Sequence, residues 1–348
     1  MGTKTVAKTV AITGATGFLG RHVVKAISNA GYIPIAVVRN VNSARTSLGH
    51  NIEIRKADIG DLDALSAAFV GVDAAIHLAG LVSLNKCHQD LLDKVNVGGA
   101  KNFIKAADNN AIKRVIFTST TSAVAALNDD NSDNALDENA VFNLIDQSVN
   151  YIKTKRTAHL LAVEAQDKGL PVVILSPSFV LGPDDINVNT SSLIDAIRRR
   201  RLPVYPDGGI NPIDVRDLAQ AYVAVLEKRD PARHYILASK ENLTLKKLCN
   251  RAALFANVAP PLFSAPNSLI MAIAAVTEAL FPKASLTPEG VRLSRFYWYF
   301  DASLARADLN LNCRPLEQTL MDTLEWLKGR EQKKINTINW NQNENFID

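Results

Sequence analysis

Short apolar runs rich in β-branched residues recur through the first half of the chain, at residues 8–13, 33–38, 52–57, 72–78, 112–119 and 171–176. Runs of this length, bounded by Gly, Asp and Asn, predict strands. Between several of them the apolar spacing lengthens to the helical period, over residues 17–30, 61–70, 88–109 and 151–168. Strands that alternate with helices predict an α/β architecture built on a parallel, doubly wound sheet.

After Ser176 the rhythm loosens, and Pro177, Pro183, Pro203, Pro206 and Pro212 punctuate the next stretch. Residues 213–228 again carry the spacing of a core-packing helix, so the chain is expected to return to its first domain before a helical tail begins near Leu243. The expected organisation is a sheet domain over 1–176 rejoined by 211–230, and a smaller, mainly helical region over 177–210 and 231–330. The Asn-rich end, 331–348, has little apolar periodicity and reads as frayed or disordered.

Composition narrows the function classes. A chain of 348 residues, 47% hydrophobic and 21% charged, buries a substantial core. Its net charge of +4 is too small for a dedicated nucleic-acid binder, so no nucleic acid is expected as partner. Cys87, Cys249 and Cys313 are odd in number and widely spaced, which fits a reducing cytoplasm better than a disulfide framework. The polar start, Met1 to Lys8, carries no apolar export signal, and Val6 stands where a myristoylation signal needs Ser or Thr.

The densest chemical signal is Thr13, Gly14, Ala15, Thr16, Gly17, Phe18, Leu19, Gly20, read T-G-x-x-G-x-x-G at the junction of the first strand and first helix. Glycines there permit close backbone approach, and a helix N-terminus offers free N–H groups and a positive dipole to a pyrophosphate. Gly14, Thr16, Gly17, Phe18 and Leu19 are therefore candidate dinucleotide contacts. An NAD-preferring site places an acid some 20 residues beyond the glycines. The end of the second strand offers Arg39 instead, with Arg45 near it, which suits a 2′-phosphate and favours NADP(H) over NAD(H). Asp58 and Ile59, at the end of the third strand, are placed to reach the adenine edge.

Tyr151 and Lys155 lie at i and i+4 on one face of a predicted helix. A phenol titrating near 10 exchanges protons poorly at neutral pH, and a neighbouring cation lowers that value by favouring phenolate. Together with the glycine loop, this pair makes the chain resemble the extended short-chain dehydrogenase/reductases of the NAD-dependent epimerase/dehydratase superfamily, from Thr9 to about Gly329. Further segments match in order. His77-Leu78-Ala79-Gly80 is similar to the family's strand end beside the cofactor ribose, and Asn96-Val97-Gly98-Gly99 to its N-V-x-G motif. Phe117-Thr118-Ser119-Thr120 resembles its hydroxyl-rich strand end. Pro177-Ser178-Phe179-Val180-Leu181-Gly182-Pro183 resembles its P-x-x-V-x-G-P stretch near the nicotinamide, and Ile213 to Ala219 its V-x-D-x-A helix start. Leu286 to Arg292, Tyr299 to Ala305 and Leu324 to Leu327 resemble the dihydroflavonol-reductase-like and 3β-hydroxysteroid-dehydrogenase-like branch.

The resemblance implies a Rossmann-type fold and a catalytic set of Tyr151, Lys155 and Thr120, with Thr121 and Ser122 as alternatives for the hydroxyl. It implies cofactor contacts from Leu78, Ala79, Gly80, Asn96, Lys155, Pro177 and Ser178. In this reading Tyr151 exchanges a proton with the substrate oxygen, Lys155 lowers the Tyr151 pKa and holds the ribose, and Thr120 orients the oxygen. It further implies hydride transfer to or from an apolar carbonyl or alcohol compound, and a homodimer. A nucleotide-sugar epimerase with retained NAD is the alternative, weakened by Arg39 and by Ser176 and Leu181, where such enzymes often carry Arg and Tyr. A catalytically silent cofactor sensor is a third reading, weakened by the retained Tyr151 and Lys155.

Other features carry less. The six histidines show no metal-ligand spacing, so no metal is expected. Asp129 to Asn134 begins like a calcium loop but has Asn134 and Ala140 where Gly and Glu are required. Arg198 to Arg201 reads as a solvated helix end. The apolar stretch within 262–282 is too short for a transmembrane span and leaves a lid, a peripheral membrane contact and a packed helix open.

Overall fold

The structure is a computed structural model that describes residues 8–145, 149–188, 190–280 and 286–344. Strands β1 (Thr9–Thr13), β2 (Ile33–Val38), β3 (Glu53–Lys56), β4 (Ala74–His77), β5 (Arg114–Thr118) and β6 (Val172–Pro177) alternate with helices α1 (Phe18–Asn29), α2 (Val41–Leu48), α3 (Leu62–Ala68), α4 (Gln89–Leu92), α5 (Gly99–Asn109) and α6 (Asn150–Asp167). The region between α4 and α5, Asp93–Gly98, is a π-helical turn, so the helix expected over 88–109 is continuous but locally widened.

Beyond β6 run the short strands β7 (Phe179–Leu181), β8 (Val204–Tyr205), β9 (Gly209–Ile210) and β10 (Pro212–Asp214), with helix α7 (Ser192–Arg198) between β7 and β8. Helix α8 (Val215–Glu227) leads into β11 (His234–Leu237) and β12 (Leu243–Thr244). The rest comprises α9 (Leu245–Ala256), β13 (Phe263–Ser264), α10 (Asn267–Leu280), α11 (Pro288–Ser294), α12 (Ser303–Leu309) and α13 (Leu316–Glu344).

Seven strands form one parallel sheet in the order β11-β6-β5-β4-β1-β2-β3. Alternating side chains feed opposite faces. Val10, Ile12, Ala36 and Ile116 pack against α1, α8 and α12, whereas Ala11, Ile35, Val37, Val115 and Phe117 pack against α3, α5 and α6. A third core joins α7, α9 and α13 through Ile194, Ile197, Leu248, Ala252, Leu320 and Leu324. The strand order reverses between β1 and β4, so their carboxyl ends open a crevice suited to a ligand.

One expectation changes: the stretch from 231, expected in the helical region, begins with β11, which adds the seventh strand beside β6, from Ile174 opposite His234 to Pro177 opposite Leu237. Helix α13 enters the Asn-rich tail and runs to Glu344. Residues 345–348 lie outside the described residues, as does Phe281 within the apolar stretch.

Candidate active site

The glycine loop closes the end of β1 onto the end of β4. Gly14 has φ +71°, and a Cβ there would lie 2.6 Å from the Ala79 nitrogen, so only glycine permits this approach. Gly17 accepts no side-chain cap: it is the N-cap of α1, no side chain bonds the free amides, and the first turn holds no acid. A Cβ on Gly20 would stand 2.1 Å from the Gly14 carbonyl oxygen. Together these leave an uncapped, cationic helix end behind a flat backbone cradle, which fits a dinucleotide pyrophosphate. Thr16 sits in the turn, and Phe18 and Leu19 open α1.

Around this cradle the strand ends contribute in turn. Leu78 N–H donates to the Thr13 carbonyl at 3.1 Å, which continues the β1–β4 pairing to the crevice floor. Beneath it the Thr13 hydroxyl and His77 Nδ1 are 2.9 Å apart. Burial holds the His77 ring down at about 3, so it stays neutral and packs between Phe103 and Phe117. Arg39 follows β2, with its side chain 78% exposed and its Nε 4.0 Å from Asp58 Oδ2. That separation leaves the guanidinium available to another anion. Asp58 Oδ1 accepts from Gly60 N–H at 2.7 Å, and the Ile59 carbonyl accepts from Asn102 Nδ2 at 2.9 Å.

Two expected cofactor contacts use their polar atoms inside the protein. Asn96 Oδ1 accepts from Leu81 N–H at 2.8 Å, while its Nδ2 donates to the Leu81 carbonyl at 3.0 Å and to Thr154 Oγ1 at 3.2 Å. This side chain therefore clamps the backbone at Leu81, directly after Leu78-Ala79-Gly80. Ser178 N–H donates to the Leu237 carbonyl at 2.9 Å, and its hydroxyl donates to Asn211 Oδ1 at 3.2 Å, which anchors the turn after Pro177.

Tyr151 and Lys155 lie on α6 and face the end of β5. Lys155 Nζ donates to the Thr118 carbonyl at 3.1 Å. Thr120 caps the short turn that follows, with its hydroxyl 3.1 Å from that of Ser122 and accepting from Ser122 N–H. Of the three hydroxyl candidates, Thr121 is buried, and Thr120 is the one that acts on the Tyr151 phenol electrostatically, opposing the effect of burial. Burial pushes the Tyr151 phenol up to about 12, with the Thr120 hydroxyl opposing it, and holds the Lys155 ammonium down to about 8. Desolvation outweighs the Thr120 hydroxyl, because taking phenolate out of water costs more than one neutral polar neighbour returns.

Several residues at the site had no signature in the sequence. Leu84, Phe142, Leu293 and Trp298 join Tyr151 in packing against one buried cluster that includes Ile152 and Phe296. Trp298 Nε1 donates to the Leu293 carbonyl at 3.0 Å, which fixes the indole. Arg156 lies 4.6 Å from the Phe142 ring centre and donates to the Ala123 carbonyl at 2.9 Å. Asn150 Nδ2 donates to Glu289 Oε1 at 3.2 Å, which ties α6 to α11 directly before Tyr151. These residues come from segments up to 214 positions apart, from Leu84 to Trp298, and no local spacing announces them.

Comparison with known proteins places this geometry. The profile of the NAD dependent epimerase/dehydratase family matches residues 10–238. A protein of Synechocystis sp. that bears the provisional name dihydroflavonol 4-reductase is 28% identical over 327 residues, 91% of this chain and 94% of that protein. Cinnamoyl-CoA reductase 1 of Arabidopsis thaliana is 32% identical over 246 residues, 66% of this chain and 70% of that enzyme. In fold alone, a nucleoside-diphosphate-sugar epimerase from Pseudomonas aeruginosa superimposes with a TM-score of 0.75 at 23% identity, covering 93% of this chain and 99% of that one.

Proposed function

The chain belongs to the NAD dependent epimerase/dehydratase family, and from that premise we propose that it is an NADPH-dependent reductase of a largely apolar aldehyde or ketone, or the dehydrogenase of the corresponding alcohol. The observation that carries this reading is the setting of Tyr151: a half-buried phenol with the Thr120 hydroxyl as its polar neighbour, in one apolar cluster with Leu84, Phe142, Leu293 and Trp298. Apolar walls with a few convergent polar groups suit a small apolar ligand. A nucleotide sugar would instead require cations aimed at a second pyrophosphate. Arg198 and Arg199, in the dense basic run, are engaged by Asp195 and Glu331.

When bound, the nicotinamide supplies the hydride. The residues of the chain then handle the proton and the oxygen. With the Tyr151 hydroxyl titrating near 12, the phenol carries its proton at neutral pH, as a donor to a carbonyl oxygen must. Lys155, titrating near 8, is mostly cationic at pH 7 and stabilises the phenolate left when that proton moves to the oxygen. Thr120 orients the same oxygen as negative charge develops on it.

Gly14, Thr16, Gly17, Phe18 and Leu19 hold the pyrophosphate, Asp58 and Ile59 border the adenine, and Leu78, Ala79, Gly80 and Pro177 border the ribose and nicotinamide. Arg39 selects NADP(H) through the 2′-phosphate, since no acid replaces it at the strand end. Residues 177–210 and the chain beyond β11 form the substrate side. Asn96 and Ser178 act as positioning residues.

The dihydroflavonol and cinnamoyl-CoA reductases named above are consistent with a carbonyl substrate. The test is NADPH and NADH oxidation measured side by side on apolar ketones and aldehydes and on UDP- and dTDP-sugars. Turnover of the apolar carbonyls with NADPH is expected; turnover confined to the sugars overturns the proposal.

A further inference from the structure

Helix α10 turns an uncharged face outward. Its exposed positions are Ser268, Leu269, Ala272, Ile273, Ala275, Val276, Ala279 and Leu280, and the large ones among them repeat at i, i+4, i+7 and i+11. Leu269, Ile273, Val276 and Leu280 are each half exposed or more. The inner side, Ile270 and Ala274, packs on Ala265 and Val291 with Val204 and Met271 against them. The one charged residue of the helix, Glu278, buries its Oε1. Leu262 and Phe263, just before the helix, are 81% and 58% exposed and extend the same apolar surface.

This surface has a cationic margin. Strand β13 pairs in parallel with β8, Phe263 opposite Val204, and Leu262 N–H donates to the Pro203 carbonyl at 3.0 Å. Arg200 and Arg201 directly precede that strand and are exposed. Unlike Arg198 and Arg199, they form no ion pair among the described residues. Pro203, whose carbonyl receives the Leu262 N–H, lies two residues beyond Arg201 and three beyond Arg200, so both arginines border the segment that carries Leu262.

A protein partner would need polar groups to fix its register, at roughly one hydrogen bond per 100–200 Å² of interface. The outward face of α10 offers one serine hydroxyl over a helix about 21 Å long. A lipid surface needs no register: its acyl region accepts an apolar stripe and its anionic headgroups accept arginine. No helix among the described residues is long and apolar enough to cross a membrane, so contact would be with one leaflet only.

We propose that the outer face of α10, with Leu262 and Phe263, docks the protein on an anionic lipid surface, with Arg200 and Arg201 at the headgroups. Helix α10 packs on α11, whose Leu293 packs in the same cluster as Tyr151, so docking sets the lipid surface beside the substrate side of the site. The proposal stands on the surface itself and is independent of the substrate assigned above.

The test is flotation of the full chain with vesicles of phosphatidylcholine alone and of phosphatidylcholine with phosphatidylglycerol, alongside light scattering for oligomeric state. The wild type is expected to float with the anionic vesicles, less so at high salt. Ile273→Ser/Val276→Ser and Ile273→Asp/Val276→Asp should each lower partitioning by at least about tenfold, as should Arg200→Glu/Arg201→Glu on the anionic vesicles. Thermal midpoint and NADPH binding should be unchanged in all three, because the substituted side chains are exposed. A wild type that stays with the soluble fraction overturns the proposal. So does a self-association that the α10 variants abolish in the absence of vesicle binding, which would assign the face to a second copy of the chain.

Discussion

Replacing Lys155 by Met should stabilise the folded protein at neutral pH while removing its activity. Burial lowers the Lys155 ammonium from 10.5 to about 8. At ~1.4 kcal/mol per tenfold in acidity, that corresponds to about 3 kcal/mol, an upper bound because the side chain keeps partial access to water. At pH 7 both folded and unfolded chains carry the proton, so the folded state bears the whole cost. Between pH 8 and 10.5 the unfolded chain binds more protons than the folded one, so this contribution makes stability rise with pH and the cost vanishes above that window. Methionine removes the charge at similar length but leaves the Thr118 carbonyl without its donor, a loss of about 1 kcal/mol. The net gain expected at pH 7 is therefore about 2 kcal/mol. Urea denaturation of both proteins without cofactor, from pH 7 to 10.5, measures it as a difference that cancels the other titrating groups. The difference should shrink across the window and change sign at its upper end. A variant less stable than the wild type at pH 7, or a difference flat with pH, refutes the reasoning.

Three further outcomes follow from the cofactor cradle. Arg39→Asp should weaken NADPH binding by roughly ten- to a hundredfold and reverse the preference for NADPH over NADH, whereas equal affinity of the wild type for both would contradict the role given to Arg39. Asn96→Ala leaves the Leu81 N–H and carbonyl without their partners, so urea unfolding should show a loss of about 2–3 kcal/mol and the KM for cofactor should rise; native stability would remove the clamp from the account. Gly20→Ala sets a Cβ against the Gly14 carbonyl, and titration by NADPH fluorescence should show at least a ~tenfold loss of affinity, with unchanged affinity contradicting a tight cradle.

The sheet was legible because its signals are local. Five of the expected strands coincide with β2 to β6 within a residue or two at each end, since each is a short β-branched run, and the glycine loop marks its own place between β1 and α1. The seventh strand, His234–Leu237, is only four residues long and follows a Pro-containing turn, so nothing local separated it from the tail. The site was legible only as a set of names. The motifs that single out Asn96 and Ser178 record residue types and not the internal hydrogen bonds their side chains make. The i,i+4 spacing announces the Tyr151 and Lys155 pair but not the burial that raises the phenol and lowers the ammonium. Phe142, Leu293 and Trp298 meet through tertiary contacts alone.

The central claim is that Tyr151 supplies the proton, and Tyr151→Phe tests it most directly, since the ring stays in the apolar cluster and only the hydroxyl is lost. Turnover should be measured with NADPH on the apolar carbonyl that the wild type reduces fastest, and NADPH affinity by fluorescence on the same samples. The account predicts turnover lower by at least ~10²-fold with cofactor affinity little changed. Near-native turnover of the Phe variant would contradict it and place the proton donor elsewhere.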